Sequence, residues 1–130
     1  MNKPLKISLI VASTVVITSG GAVTLLDRSL ARTDRFDRNT QPATVRYDDG
    51  STHYVGVVSE RGWVFGRVKS HSLYAGRDPG FGYGHFRKLD PDSDPRPVIR
   101  DADWTREGVR VRFTSGHQIF IAARLFTWGR

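Results

Sequence analysis

The stretch Ile7 to Leu26 (ISLIVASTVVITSGGAVTLL) carries no charge, and it constrains this chain more than any other feature. As a helix it would be about 30 Å long, the thickness of a bilayer's hydrocarbon core. A short head with Lys3 and Lys6 precedes it, and Asp27-Arg28 ends it. A buried core helix would show a periodic polar face and an amphipathic partner; this segment has neither. The sequence therefore predicts one N-terminal transmembrane or signal helix.

Two fates compete for that helix. Signal cores run about 7–15 residues and end at a small-x-small site. Leu9 to Ile17 fits such a core, with Thr18 to Ala22 as the cleavage region and Ser29-Leu30-Ala31 as a second candidate. Against cleavage, Val23-Thr24-Leu25-Leu26 resumes the apolar run, and Gly, Ser and Thr are tolerated inside membrane helices. The balance favours a retained anchor, with a cleaved, secreted protein, which includes an enzyme of unidentifiable type, as the alternative. Lys3 and Lys6 favour an inside N-terminus, whereas Arg28, Arg32, Arg35 and Arg38 lie just past the other end. Export is preferred because the first apolar segment usually dominates; an anchored domain that faces the cytoplasm and binds nucleic acid or a regulator is the second alternative.

The remaining chain divides into a charged juxtamembrane linker, residues 27–41, and a small β domain, residues 42–130. About 90 residues bury only some 60–65% of their unfolded surface, so the core is modest. No cysteine is present, which excludes disulfides, cysteine zinc sites, a thiol nucleophile and a lipid-modified Cys anchor. Arginine outnumbers lysine 16 to 4, most simply the mark of a GC-rich, bacterial genome. The net +7 contains +2 from the head and +1 from the linker, leaving +4 (14 basic, 10 acidic) on the domain. Nucleic-acid binders concentrate charge more strongly than that, so nucleic acid is an unlikely partner.

From Ala43 onward apolar residues alternate with polar ones, punctuated by Gly. Thr44–Tyr47, Thr52–Ser59, Trp63–Lys69, Val98–Trp104, Val109–Phe113 and Gln118–Phe126 read as strands, with another near Ser72–Ala75 or His85–Leu89. Asp48 to Ser51, Glu60 to Gly62, Thr105 to Gly108 and Ser115 to His117 read as turns. The expected fold is all-β: a small antiparallel meander of six or seven short strands, barrel or sandwich.

Arg61 to Lys88 holds six basic residues, one acid and six aromatic residues. Cations beside aromatic faces hold polyanions by phosphate contact and stacking. Arg77, Phe81, Tyr83, His85, Arg87 and Lys88 are the candidate residues for a polyanion or partner, around the loop Gly76 to Gly84. That loop lacks the P-loop pattern and the helix that a dinucleotide fingerprint requires. Asp90, Asp92, Asp94 and Asp101 have calcium-loop spacing, but Pro95 stands where the sharp turn needs Gly. The four histidines are scattered without metal-ligand spacing, and no nucleophile motif occurs. No enzyme activity and no cofactor is expected. The expected role is binding or structural: an anchored, extracytoplasmic domain meeting an envelope protein or anionic polymer.

External protease should reach the domain on intact cells or spheroplasts, and the mature chain should begin near Met1. A mature N-terminus between Ala22 and Arg32 would show cleavage; complete protection would place the domain in the cytoplasm.

Overall fold

The computed structural model describes residues 31–92 and 95–127. Ile7–Leu26 lies outside them, and no helix among the described residues is long and apolar enough to cross a membrane. Seven strands follow in chain order: β1 (Ala31–Thr40), β2 (Tyr54–Gly62), β3 (Val68–Gly76), β4 (His85–Lys88), β5 (Ile99–Trp104), β6 (Gly108–Phe113) and β7 (Gln118–Ala122). A single helical turn, α1 (Ala123–Thr127), comes after them. The strands form two antiparallel sheets, β1-β2-β3-β4 and β5-β6-β7, with sequence neighbours paired throughout. The all-β expectation holds.

Strand β6 shows how patterning builds the core. Val109, Val111 and Phe113 point one way and are buried, while Arg110 and Arg112 alternate with them. On the outer side Arg112 pairs Asp101 of β5 at 2.7 Å, and Arg110 lies over the Phe120 ring of β7. Both are cross-strand register neighbours. The inner side meets Val55, Val57, Leu73 and Ala75 of the four-stranded sheet in one apolar cluster. Each such side chain contributes roughly 1.5–3 kcal/mol on burial.

Three local readings need correction. Residues 31–40 do not belong to a linker: they are strand β1, paired with β2 from Ala31↔Gly62 to Thr40↔Tyr54. Its charged residues Arg32, Arg35 and Arg38 are exposed, as suits an edge strand, which natural sheets protect with charge. Trp63 to Phe65 is the β2–β3 turn rather than the start of a strand; β2 runs on through Glu60-Arg61-Gly62 before turning. Thr44–Tyr47 forms no strand, because Tyr47 leaves the sheet to plug one end of the core. The second half of Gln118–Phe126 likewise turns helical, seating Phe126 in the same plug.

Strand β1 also joins the two sheets. Its register slips between Phe36 and Asn39, and Asp37 takes a positive φ of 57° at the bulge. That conformation aims the Asp37 carboxylate at the Ile99 backbone N–H, which donates to it at 3.0 Å. Two residues on, the Asn39 carbonyl accepts from the Trp104 indole N–H at 3.0 Å. The start and end of β5 are therefore both held by one edge strand of the other sheet.

Asn39→Ala leaves the indole N–H of buried Trp104 without its acceptor, at a cost of about 1–3 kcal/mol. The urea midpoint should fall with an unchanged m-value. An unchanged midpoint would show that the strand β1 connection carries no stability.

Candidate functional site

The six residues singled out from sequence do not share one surface. Phe81 is only 3% exposed: its ring stacks on Tyr74 with centroids 4.6 Å apart. It also covers Gly56, where an added Cβ would fall 2.1 Å from the ring. Asp78 builds this loop, accepting from the Gly80 and Gly82 backbone N–H groups at 2.9 and 2.6 Å. Those donors hold its carboxyl below the usual range. The Tyr74 hydroxyl accepts from the Asp78 N–H and donates to the Tyr83 carbonyl. The loop is thus closed by its own aromatics, with Phe81 at a positive φ of 55° to turn its ring inward.

Tyr83 remains exposed at the loop surface, and Arg77 is exposed at its start. The other three lie on the short edge strand β4 and alternate across it. Phe86 and Lys88 oppose Tyr74 and Ser72, whereas His85 and Arg87 oppose Ala75 and Leu73, so they lie on opposite faces of the sheet. Basic charge is present there, but a single basic-aromatic platform is not.

The two buried histidines are structural pins. His53 is fully buried, with Nδ1 2.8 Å from the Gln41 carbonyl oxygen and Nε2 2.8 Å from the Asp49 carboxylate. The Gln41 amide is oriented by its own bonds: its NH₂ donates to the Val45 carbonyl, and its oxygen accepts from the His53 backbone N–H. Nδ1 is therefore the donor to Gln41. Both ring nitrogens are occupied in tying the β1–β2 connection together. His71 receives the Ser59 hydroxyl at Nδ1 at 2.5 Å, and its Nε2 faces the Pro95 carbonyl. Ser59 is fully buried, so its oxygen offers no approach to a substrate. Among the described residues no three His, Asp or Glu side chains gather as a metal would require. Asp101, at the twelfth position counted from Asp90, is engaged by Arg112 and Arg100, while Asp94 lies outside the described residues.

A different constellation emerges at the end of the domain where β1 finishes. Tyr47, His53, Trp104 and Phe126 form an aromatic plug. Tyr47 meets His53 and Phe126 edge-on at 5.2 Å, and Trp104 meets Phe126 at 6.2 Å. The Tyr47 hydroxyl donates to the Thr105 carbonyl at 2.8 Å, joining the β1–β2 connection to the β5–β6 turn. Each anchoring residue has an arginine close by in sequence: Arg46 before Tyr47, Arg106 after Thr105, Arg124 two before Phe126. All three arginines line one cleft of about 610 Å³, together with Thr44, Thr127 and the lone acid Asp48. The three arginines are exposed, and beneath them the cleft is lined by Tyr47, which is buried in the core.

Sequence reading missed this cleft because its arginines lie 60 and 18 residues apart, on three different connections. One signal was available: each arginine neighbours an aromatic or turn residue outside the alternating strand pattern. Comparison with protein-family models, characterised proteins and solved structures finds no match for this chain.

Burial, with a smaller push from Glu107, raises the Tyr47 phenol from 10.0 to about 12. The folded state therefore holds this proton more tightly than the unfolded chain does. The resulting stability is complete below pH 10 and is lost as pH rises through about 12. In a tyrosinate absorbance titration, the last of the four tyrosines should ionise near pH 12. Tyr47→Phe should remove that component; a titration complete by pH 11 in the wild-type chain would contradict the buried placement.

Proposed function

We propose that this is a single-pass, membrane-anchored protein that presents its small β domain outside the cytoplasm and binds an anionic polymer of the cell envelope. The cleft of Arg46, Arg106 and Arg124 is the binding site. Membrane delivery rests on the uncharged run Ile7–Leu26 and the basic head before it. The binding role rests on one observation: three arginines and one carboxylate converge in a single cleft on an otherwise mildly charged domain.

The chemistry of the cleft favours this ligand class. Arginine presents planar, paired N–H donors that match the two oxygens of a carboxylate or phosphate, and it stays charged at any physiological pH. Thr44 adds a hydroxyl donor of the kind that positions an oxyanion, whereas the Thr127 hydroxyl is spent on the Ala123 carbonyl at 2.9 Å. The packed floor matters beside the charge, since the plug fixes the backbone segments that carry Arg46 and Arg106. A cleft bounded by connections rather than by an apolar cavity suits a repeating chain that passes across it. A compact apolar ligand would need an enclosed, greasy site.

The purified full chain in detergent should sediment with phosphate-bearing cell-wall polymer, and binding should weaken steeply with added salt. Joint reversal of Arg46, Arg106 and Arg124 to Glu should lower affinity by at least about 100-fold, since charge-assisted contacts contribute about 1.5–3 kcal/mol each. Reversal of Arg77, Arg87 and Lys88 should leave most binding intact. The opposite ranking would return the site to the β3–β4 region. Equal, full retention in both triple variants would remove polymer binding altogether.

A further inference from the structure

The β2–β3 turn carries the most exposed apolar surface of the described chain. Trp63 is 68% exposed and Phe65 56%, and Val64 between them and Val68 beyond are exposed as well. Solubility alone would place polar residues at such a tip; contiguous exposed apolar side chains mark a surface with a partner. The turn holds a defined shape. The Gly62 N–H donates to the Arg67 carbonyl at 2.8 Å, and the Gly66 N–H to the Gly62 carbonyl at 3.0 Å. Gly66 takes a φ of +62°, which closes the loop at a position where glycine is the easy residue. The Arg67 guanidinium sits 5.9 Å from the Phe65 ring centre, and Arg61 precedes the tip.

Strand register identifies what lies beneath this tip. Ala31, the first residue of β1, pairs with Gly62, the residue immediately before Trp63. Leu26, the last residue of the apolar run, is five residues before Ala31. Five residues reach at most about 17 Å, and paired strand positions lie about 5 Å apart. The tip's base is therefore within roughly 22 Å of the end of the apolar run, whatever path residues 27–30 take. A headgroup layer is itself about 5–8 Å deep on each side of the hydrocarbon. The tip thus sits on the same end of the domain as the segment expected to enter the bilayer.

We infer that the β2–β3 tip, Trp63-Val64-Phe65, rests in the membrane interface and forms a second point of attachment beside the anchor. The inference rests on the anchored reading proposed above. The composition is that of an interfacial segment: Trp is a preferred residue at the water–lipid boundary, and Phe and Val supply apolar area below it. Arg67 is exposed beside the tip and gives it positive charge, which suits anionic headgroups, whereas Arg61 is paired with Asp34 at 3.1 Å. A soluble protein partner would satisfy the apolar side chains equally well, but register places lipid within reach, and no such argument favours a protein.

The chain has no cysteine, so a single introduced thiol reports one position. Full-length Phe65→Cys and Thr52→Cys, the latter exposed and next to the far end of β2, are labelled with an environment-sensitive fluorophore. Each is reconstituted into phosphatidylcholine–phosphatidylglycerol vesicles. The expected result is a blue-shifted emission at position 65, quenched by doxyl groups on lipid chains, and neither effect at position 52. The double variant Trp63→Ser/Phe65→Ser should co-float with vesicles as the wild type does, but with faster tumbling of a label at position 52. Aqueous, unquenched emission at position 65 in a co-floating chain overturns the tip's insertion while leaving the anchor standing. A wild-type chain that fails to co-float overturns the anchored reading, and this inference with it. Identical tumbling in the serine variant also counts against the second attachment.

Discussion

The fold depends on how one polar edge strand bridges two sheets. Neither meander is large: one sheet has four strands and the other three, and two-stranded or one-faced sheets are marginal alone. What makes them one core is the alignment of their apolar faces, and β1 sets that alignment. The bulge at Asp37 bends the strand, and Asp37 and Asn39 then hold β5 at Ile99 and Trp104. Both contacts hydrogen-bond a group that burial would otherwise leave unpaired, so losing either costs more than the bond itself contributes. The positive φ at Asp37 costs of order 1 kcal/mol, and the carboxylate's bond to the Ile99 N–H offsets it locally.

The same bridging fixes the aromatic plug, and the plug fixes the cleft. Trp104 is tied to Asn39 through its indole nitrogen, Tyr47 to Thr105 through its hydroxyl, and His53 to Gln41 and Asp49 through its ring. Each aromatic thus brings apolar area to the core and a polar handle to a connection. Phe126 has no such handle and is held by packing, while α1 is tied to the β5–β6 turn by the Ala123 N–H, which donates to the Glu107 carbonyl at 2.8 Å.

The strands that sequence made legible are those with one buried face. Val109-Arg110-Val111-Arg112-Phe113 alternates cleanly because one side meets the core and the other meets water. β1 escaped that test. Its one large apolar residue is Phe36, its bulge breaks the period, and its Arg and Asp residues resemble a solvated tether. Trp63 to Phe65 failed in the opposite sense: aromatic and β-branched residues read as strand wherever they stand, since β-propensity describes fit to a half-buried surface. Phe81 reads as a binding aromatic because cations are interleaved with aromatics along that part of the sequence. Only the structure shows that Gly56 leaves the space into which it folds. The arginine cleft depends on contacts between connections some 60 residues apart, which no local pattern encodes.

The two ends of the domain carry basic residues for different physical reasons. β1 spans ten residues, about 30 Å allowing for its bulge, between the exposed aromatic tip and the plug that supports the arginine cleft. At physiological ionic strength a charged surface is screened over about 8 Å. In the proposed arrangement, Arg67 near the tip lies within range of an anionic membrane face, whereas Arg46, Arg106 and Arg124 lie several screening lengths beyond it. Headgroups and cleft ligand therefore do not compete for the same guanidinium groups. An anchor alone would let the domain swing and bring the cleft down to the lipid. A second contact at the tip would hold β1 away from the membrane plane and keep the cleft turned outward. In the proposed arrangement the aromatic turn and the arginine cleft, remote in sequence, would be two requirements of one orientation.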